Sequence, residues 1–246
     1  MTAKFLGSIL RLLGRDVYAQ DGLITVHNHD FMEDQAFQTA YQRGVKSGNV
    51  DYHFEWRVHV ALWAASIAKS LRGDFVECGV NKGFLSSAIM QHLGWNALDK
   101  TFYLLDTFAG PAEELLSAAE RKAGYAERSK RGSDIGFYAQ TVKDVRENFK
   151  EWNRVRIVQG TIPETLNLVD AESISFLHID LNCSQPEIAA LDHFWPRITL
   201  GGVILLDDYA YVGFRLSKEA MDALAAKRSF KILSLPTGQG LIVKTA

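Results

Sequence analysis

The chain has little cysteine, no marked excess of either charge and no long apolar run, and each absence narrows what it can be. Two cysteines in 246 residues, Cys78 and Cys183, make neither a disulfide framework nor a metal-type spacing, which suits a reducing compartment such as the cytoplasm. A formal net charge of -2 offers no general field to a polyanion, so nucleic acid is not an expected partner. No apolar stretch reaches the ~20 residues that cross a bilayer, so stable membrane insertion is not expected. Near the start, Phe5, Ile9, Leu10, Leu12 and Leu13 are interspersed with Lys4, Arg11 and Arg15. A long apolar core and a small-residue cleavage site are missing there, so a secretory leader is not expected. A helix docked on the protein or on a second subunit is, and a homodimer would follow from the latter. Internal repeats and low-complexity tracts are absent. The remaining composition, 47% apolar and 23% charged, is that of a globular chain able to bury one sizeable core.

What is present centres on Phe75-Val76-Glu77-Cys78-Gly79-Val80-Asn81-Lys82-Gly83-Phe84, an apolar strand end running into a glycine-punctuated turn. Glycines at positions 79 and 83 let backbone approach a ligand where a Cβ would clash, although a strand-to-helix turn also uses glycine merely for packing. Residues 85–93 read as the helix leaving the turn and 101–105 as a second strand ending at Asp106. An acid at that strand tip, 23 positions after Gly83, can bond vicinal ribose hydroxyls. Further strands are expected at 154–159, 174–179 and 203–206, with helices at 138–152 and 188–194 between them. That alternation predicts a right-handed, largely parallel sheet with helices on both faces. At the end, strands at 230–235 and 241–244 are separated by Pro236-Thr237-Gly238-Gln239-Gly240. Five turn residues close a hairpin but cannot make a parallel crossover, so the last strand should run antiparallel.

Two stretches read as lids. Residues 17–52 carry turn clusters such as Asp21-Gly22 and His27-Asn28-His29-Asp30, and a solvated or substrate-facing loop is expected there. Residues 111–135 mix both charges and read as an exposed insertion. Between the lid and the first strand, apolar positions from Tyr52 to Leu71 have helical spacing, and His53, Glu55, Arg57 and His59 read as its solvated face.

Asp180 and the Asp207-Asp208 pair fall at the carboxyl ends of two successive strands, the edge where open α/β sheets bind ligands. Three converging carboxylates need a cation or shared protons, and all-oxygen donors favour Mg²⁺, Ca²⁺ or Mn²⁺ over zinc.

The order Glu77-x-Gly79-x-x-x-Gly83, Asp106-Thr107-Phe108, Asp180, Asp207-Asp208-Tyr209 resembles class I S-adenosylmethionine-dependent methyltransferases. Within them it is most similar to the metal-dependent macrocin (TylF-type) O-methyltransferases, over residues 70–246. The resemblance implies a Rossmann-like, doubly wound, seven-stranded sheet in a 70–246 cofactor domain, preceded by a 1–69 helical and lid segment. It implies that Glu77, Cys78 and Gly79, with Gly83, line the methionine part of S-adenosylmethionine. Asp106 with Thr107 and Phe108 would hold its ribose, and Gly160, Thr161 and Ile162 would lie by the adenine. Asp180, Asp207 and Asp208 would hold Mg²⁺ or another hard divalent ion, and the acceptor would be a hydroxyl of a sugar or glycosylated natural product.

One position departs from that family pattern. The family commonly has a second acid two residues after the first metal aspartate, and here it is Asn182, an amide that cannot take a proton at neutral pH. The lysine that catechol-type enzymes place three positions after that aspartate is also missing, replaced by Cys183. Candidate bases are Asp180 itself, His178 on the same strand, or a histidine of the N-terminal segment. Two other readings remain open at this point. An NAD-dependent oxidoreductase is disfavoured by the missing third glycine and by Glu77, and a non-catalytic cofactor-binding partner is favoured only by Asn182.

Overall fold

A computed structural model of the chain describes residues 16–245. The apolar N-terminal helix read from the sequence lies, up to residue 15, outside the described residues. An antiparallel hairpin, β1 (Tyr18–Gln20) and β2 (Leu23–Thr25), comes first, followed by helices α1 (Gln35–Gly48) and α2 (Glu55–Lys69). The sheet then begins: β3 (Asp74–Cys78), α3 (Phe84–Leu93), β4 (Phe102–Asp106), the short helices α4 (Ala118–Lys122) and α5 (Tyr125–Asp134), α6 (Val142–Phe149) and β5 (Val155–Gln159). The second half runs β6 (Ile174–Ile179), α7 (Ser184–Phe194), β7 (Ile198–Leu206), α8 (Arg215–Arg228), β8 (Leu233–Ser234) and β9 (Gly240–Val243).

Seven strands form one sheet in the order β5-β4-β3-β6-β7-β9-β8. The first five in that order are mutually parallel, while β9 is antiparallel to both β7 and β8. The last strand is antiparallel, as its five-residue turn requires, and β9 inserts between β7 and β8. Alternate residues of each central strand enter opposite cores, because successive side chains point to opposite faces. Phe75, Phe102, Leu104, Phe176, Val203 and Leu205 face α1, α2 and α3. Val76, Tyr103, Leu105, Leu177, Ile179, Ile204 and Leu206 pack in the other core with α7 and α8. Burial on both faces is why these strands read as continuous apolar runs. No helix among the described residues is long and apolar enough to cross a membrane.

The stretch read as a loop-like lid at 17–52 contains a 14-residue helix, α1, that belongs to the main core. Asp34 caps it by accepting from the Phe37 amide at 2.8 Å. Its packed face carries Phe37, Ala40, Tyr41, Gly44 and Gly48, and the small residues at that seam hid the helical period from an apolar count. A Cβ at Gly44 would meet the Phe84 ring at 2.5 Å, so the glycine lets α1 settle on the start of α3. Gly44→Leu is accordingly expected to destabilise the protein by about 1–3 kcal/mol through overpacking. A denaturation midpoint equal to wild type would show that the two helices are not in that contact.

Candidate active site

Strands β3 and β6 are neighbours, and the chain leaves them in opposite directions along the sheet, β3 towards β4 and β5, β6 towards β7. A crevice therefore opens at their carboxyl ends. There Gly79 adopts φ +88°, and a Cβ on it would stand 1.7 Å from the carbonyl oxygen of Asp180. The cofactor-type turn and the first carboxylate are thus in backbone contact. At Gly83 a Cβ would strike the Phe149 ring at 2.4 Å, so that glycine serves the packing of α6. A cavity of about 510 Å³ fills the crevice, within the ~300–1,000 Å³ usual for small-ligand sites.

Of the residues assigned from the sequence to a cofactor, Glu77, Gly79, Asp106, Thr107, Gly160, Thr161 and Ile162 line this cavity. Cys78 and Phe108 do not; both side chains are buried in the cores, and Gly83 lies behind the turn. Asp106 is more heavily engaged than a simple ribose acid. Its Oδ2 accepts from the amides of Val80 and Asn81 at 2.7 Å each, and its Oδ1 from the Phe108 amide at 2.8 Å and the Thr107 hydroxyl at 3.2 Å. The four acceptor positions of the carboxylate are filled, which fixes the glycine turn to the end of β4. Beneath the turn, Glu77 Oε1 pairs with His178 Nδ1 at 2.9 Å, while the buried Glu77 Oε2 has no hydrogen-bond partner among the described residues.

At the other side of the cavity lie Asp180, Asp207 and Asp208, as expected, but not alone. Arg57 Nη1 is 2.5 Å from Asp207 Oδ2 and 3.8 Å from Asp208 Oδ1, and its Nε donates to Asp21 Oδ2 at 2.8 Å. The guanidinium also lies over the Tyr211 ring, 4.4 Å from its centroid. Asp207 Oδ1 accepts from Gln239 Nε2 at 3.0 Å, and His178 Nε2 stands 3.7 Å away, an ion-pair rather than hydrogen-bond distance. Asn182 donates through its amide to Asp180 Oδ1 at 3.0 Å, so the residue in place of the second acid orients the first.

These contacts divide the three carboxylates. Burial opposes ionisation of Asp207, but Arg57 and then His178 hold it below the usual carboxylate range. Asp180 is raised well above that range by burial and by the charges of Asp207 and Asp208. Asp208 is raised to about 7 by burial and by Asp207. Glu187 on α7 is also pushed up, by burial and then by Asp208 and Asp180. His178, despite its burial, is raised to about 10 by Asp207 and Glu77. Its Nδ1 is engaged by Glu77, and among the described residues its buried Nε2 has no hydrogen-bond partner.

The signs give a pH dependence. Asp208 and His178 both hold a proton more tightly folded than their reference values of 3.8 and 6.5. At these two groups the native state binds more protons than the unfolded one between about pH 4 and about pH 10, so their contribution to stability falls as pH rises through that window, while the lowered His59, His92 and His193 oppose this only below about pH 6.5. The melting temperature without divalent ions is expected to drop between pH 5.5 and pH 8.5 in scanning calorimetry; a rise would contradict the assignment.

The stretch at 111–135 is clamped rather than a free insertion. Glu120 is buried, and its Oε2 accepts from the Ser117 amide and hydroxyl while its Oε1 accepts from the Ser184 amide at 2.8 Å and hydroxyl at 2.5 Å. One carboxylate thus ties α4 to the start of α7, beside Asn182 and Cys183. The sequence marks it only as the fourth residue of a Ser-x-x-Glu capping box.

Residues 58–231 match the family model described as macrocin-O-methyltransferase (TylF). The chain belongs to the macrocin-O-methyltransferase family. Among curated relatives it is 26% identical over 170 residues to demethyldecarbamoylnovobiocin O-methyltransferase of Streptomyces niveus, covering 65% of this chain and 61% of that protein. It is 27% identical over 154 residues to 8-demethyl-8-(2,3-dimethoxy-alpha-L-rhamnosyl)-tetracenomycin-C 4'-O-methyltransferase of Streptomyces olivaceus, covering 58% of this chain and 56% of that protein. The matches thus span less than two thirds of either relative. The structure of the O-methyltransferase NovP superposes with a TM-score of 0.69 at 19% identity, over 89% of this chain and 100% of that one. The calicheamicin methyltransferase CalS11 does so at 0.58 and 14%, over 88% and 94%. Both share the fold.

Macrocin-family membership and the antiparallel β9 set aside the dehydrogenase reading. For the divalent ion that the family implies, the donor chemistry fits: three hard carboxylates, two of them short of compensating charge. Their spacing is looser. Among the described residues, the group of at least three acidic or histidine side chains whose donor atoms all lie within 4.8 Å of one another is Asp51, His53 and Glu55, not the strand-end trio. Sequence reasoning missed Arg57, read as part of a solvated helix face. The available signal was its place four residues before Ala61 and seven before Ala64, on the buried stripe of α2.

Proposed function

We propose that the protein transfers the methyl group of S-adenosylmethionine to a hydroxyl of a sugar or glycosylated natural product, with a hard divalent cation assisting. The observation that carries this is one cavity bounded by a glycine turn on one side and by Asp180, Asp207 and Asp208 on the other, in a chain of the macrocin family. The named relatives are O-methyltransferases of demethyldecarbamoylnovobiocin and of a rhamnosyl-bearing tetracenomycin, which supports a glycosylated acceptor.

Glu77 Oε2, buried and without a hydrogen-bond partner among the described residues, would accept from the cofactor's ammonium group. Gly79, which lines the cavity, would lie along the methionine chain, and Thr107, Gly160, Thr161 and Ile162 would enclose the nucleoside end. A ribose hydroxyl reaching Asp106 would replace the Thr107 hydroxyl, the longest of its four partners. The cofactor supplies an electrophilic methyl group, and a divalent cation held by Asp180, Asp207 and Asp208 would lower the acceptor hydroxyl's pKa. Asp180 is the proton acceptor in this reading: it borders the cavity, and Asn182 fixes its Oδ1. Holding donor and acceptor in line supplies much of the acceleration.

Incubation with S-adenosylmethionine and a panel of desmethyl glycosides tests this. Demethylated cofactor should accumulate only with an acceptor, fall about a hundredfold or more in chelator, and recover with Mg²⁺. Acceptor-independent or absent turnover would overturn the activity, and chelator-insensitive turnover the metal alone.

A further inference from the structure

We propose that Arg57 is a built-in counter-cation of the carboxylate cluster, which a divalent ion has to displace and which then withdraws onto Asp21. The inference rests on the metal-assisted reading above. Its basis is that two of the three acids proposed for the ion already share a cation. The Arg57 side chain is only 10% exposed, with Nη1 at 2.5 Å from Asp207 and 3.8 Å from Asp208. A dication on the same oxygens would stand within a few ångströms of the guanidinium, and like charges so close in a buried site repel strongly.

The exit for the guanidinium is built in. Its Nε is already bonded to Asp21 Oδ2 in the turn between β1 and β2, and among the described residues the other oxygen, Asp21 Oδ1, accepts only from the Tyr211 hydroxyl, at 3.3 Å. Giving up the Asp207 bond for a second bond to Asp21 would make a two-pronged arginine–carboxylate pair, the strong form of this interaction. The Tyr211 ring, against which the guanidinium lies, would remain its platform. Arg57 is then a positioning residue. It offsets part of the cluster's charge when no ion is bound, ties the hairpin to the cluster, and makes ion affinity the outcome of an exchange.

Mn²⁺ binding to the full chain, followed by electron paramagnetic resonance of the free ion, reads this without turnover. Arg57→Gln and Arg57→Met remove the competing charge and should bind Mn²⁺ about tenfold or more tighter than wild type. Arg57→Lys keeps the charge and should stay near wild type, and Asp21→Asn, which removes the exit, should bind several-fold weaker. Equal or weaker affinity in the Gln and Met variants, or a Lys variant as tight as they are, would overturn the exchange. No Mn²⁺ binding by any form, with S-adenosylhomocysteine binding intact, would remove the metal reading itself.

Discussion

Asp180→Asn is expected to cost about a thousandfold or more in turnover while leaving the fold as stable as wild type or more so. The two effects have one cause. Asp180 is half-buried beside Asp207 and Asp208, and desolvation and the charges of both neighbours all oppose its ionised form. Asparagine has nearly the same shape, still offers an oxygen to the Asn182 amide, and carries no charge to repel its neighbours. The melting temperature should hold or rise. On the proposed mechanism catalysis would lose its base and one of three oxygen ligands, and a thousandfold corresponds to about 4 kcal/mol of activation free energy. Binding of S-adenosylhomocysteine should change little, because Asp180 touches the glycine turn through its backbone. A variant that melts early, or one that keeps wild-type turnover, would show that the carboxylate is structural or idle.

Gly79→Ala should be among the most damaging single substitutions in the chain. Two penalties coincide there: a φ of +88°, which a side chain disfavours, and a Cβ 1.7 Å from the Asp180 carbonyl oxygen. Neither neighbour can retreat easily. The Gly79 amide donates to Leu105 and the Asp180 amide to Cys78, each at 2.8 Å, so separating them means opening the β3–β6 and β3–β4 ladders at their ends. A loss of about 4 kcal/mol or more is expected, in the range reserved for core disruption. Where the variant still folds, cofactor affinity should fall with it. Wild-type urea unfolding would mean that the turn does not pack against β6 as described.

The sheet was legible because its strands are apolar on both faces. Ile174–Ile179 is the strand read from the sequence, and the five residues after Leu235 were enough to fix the antiparallel direction of β9. Helix α1 was not, because Gly44 and Gly48 make its contact by being small, and nothing local reveals that Phe84 is what they meet. The carboxylate trio could be seen as strand-end acids. Arg57 and Asp21 are 36 positions apart from one another and 150 or more from Asp207, and a charged residue on a helix reads as solvated until the fold shows what covers it. Asp106 was found for its position, but its hold on the glycine turn depends on backbone amides, which sequence does not display.

The central claim is that the cavity binds S-adenosylmethionine and presents it to the carboxylate cluster. Calorimetric titration of the purified full chain with S-adenosylhomocysteine, run beside NADH, tests it most directly. A one-to-one isotherm for S-adenosylhomocysteine, weakened by Glu77→Gln, with no heat from NADH, is the predicted result. Saturable binding of NADH, or no binding of S-adenosylhomocysteine by a folded protein, would contradict it.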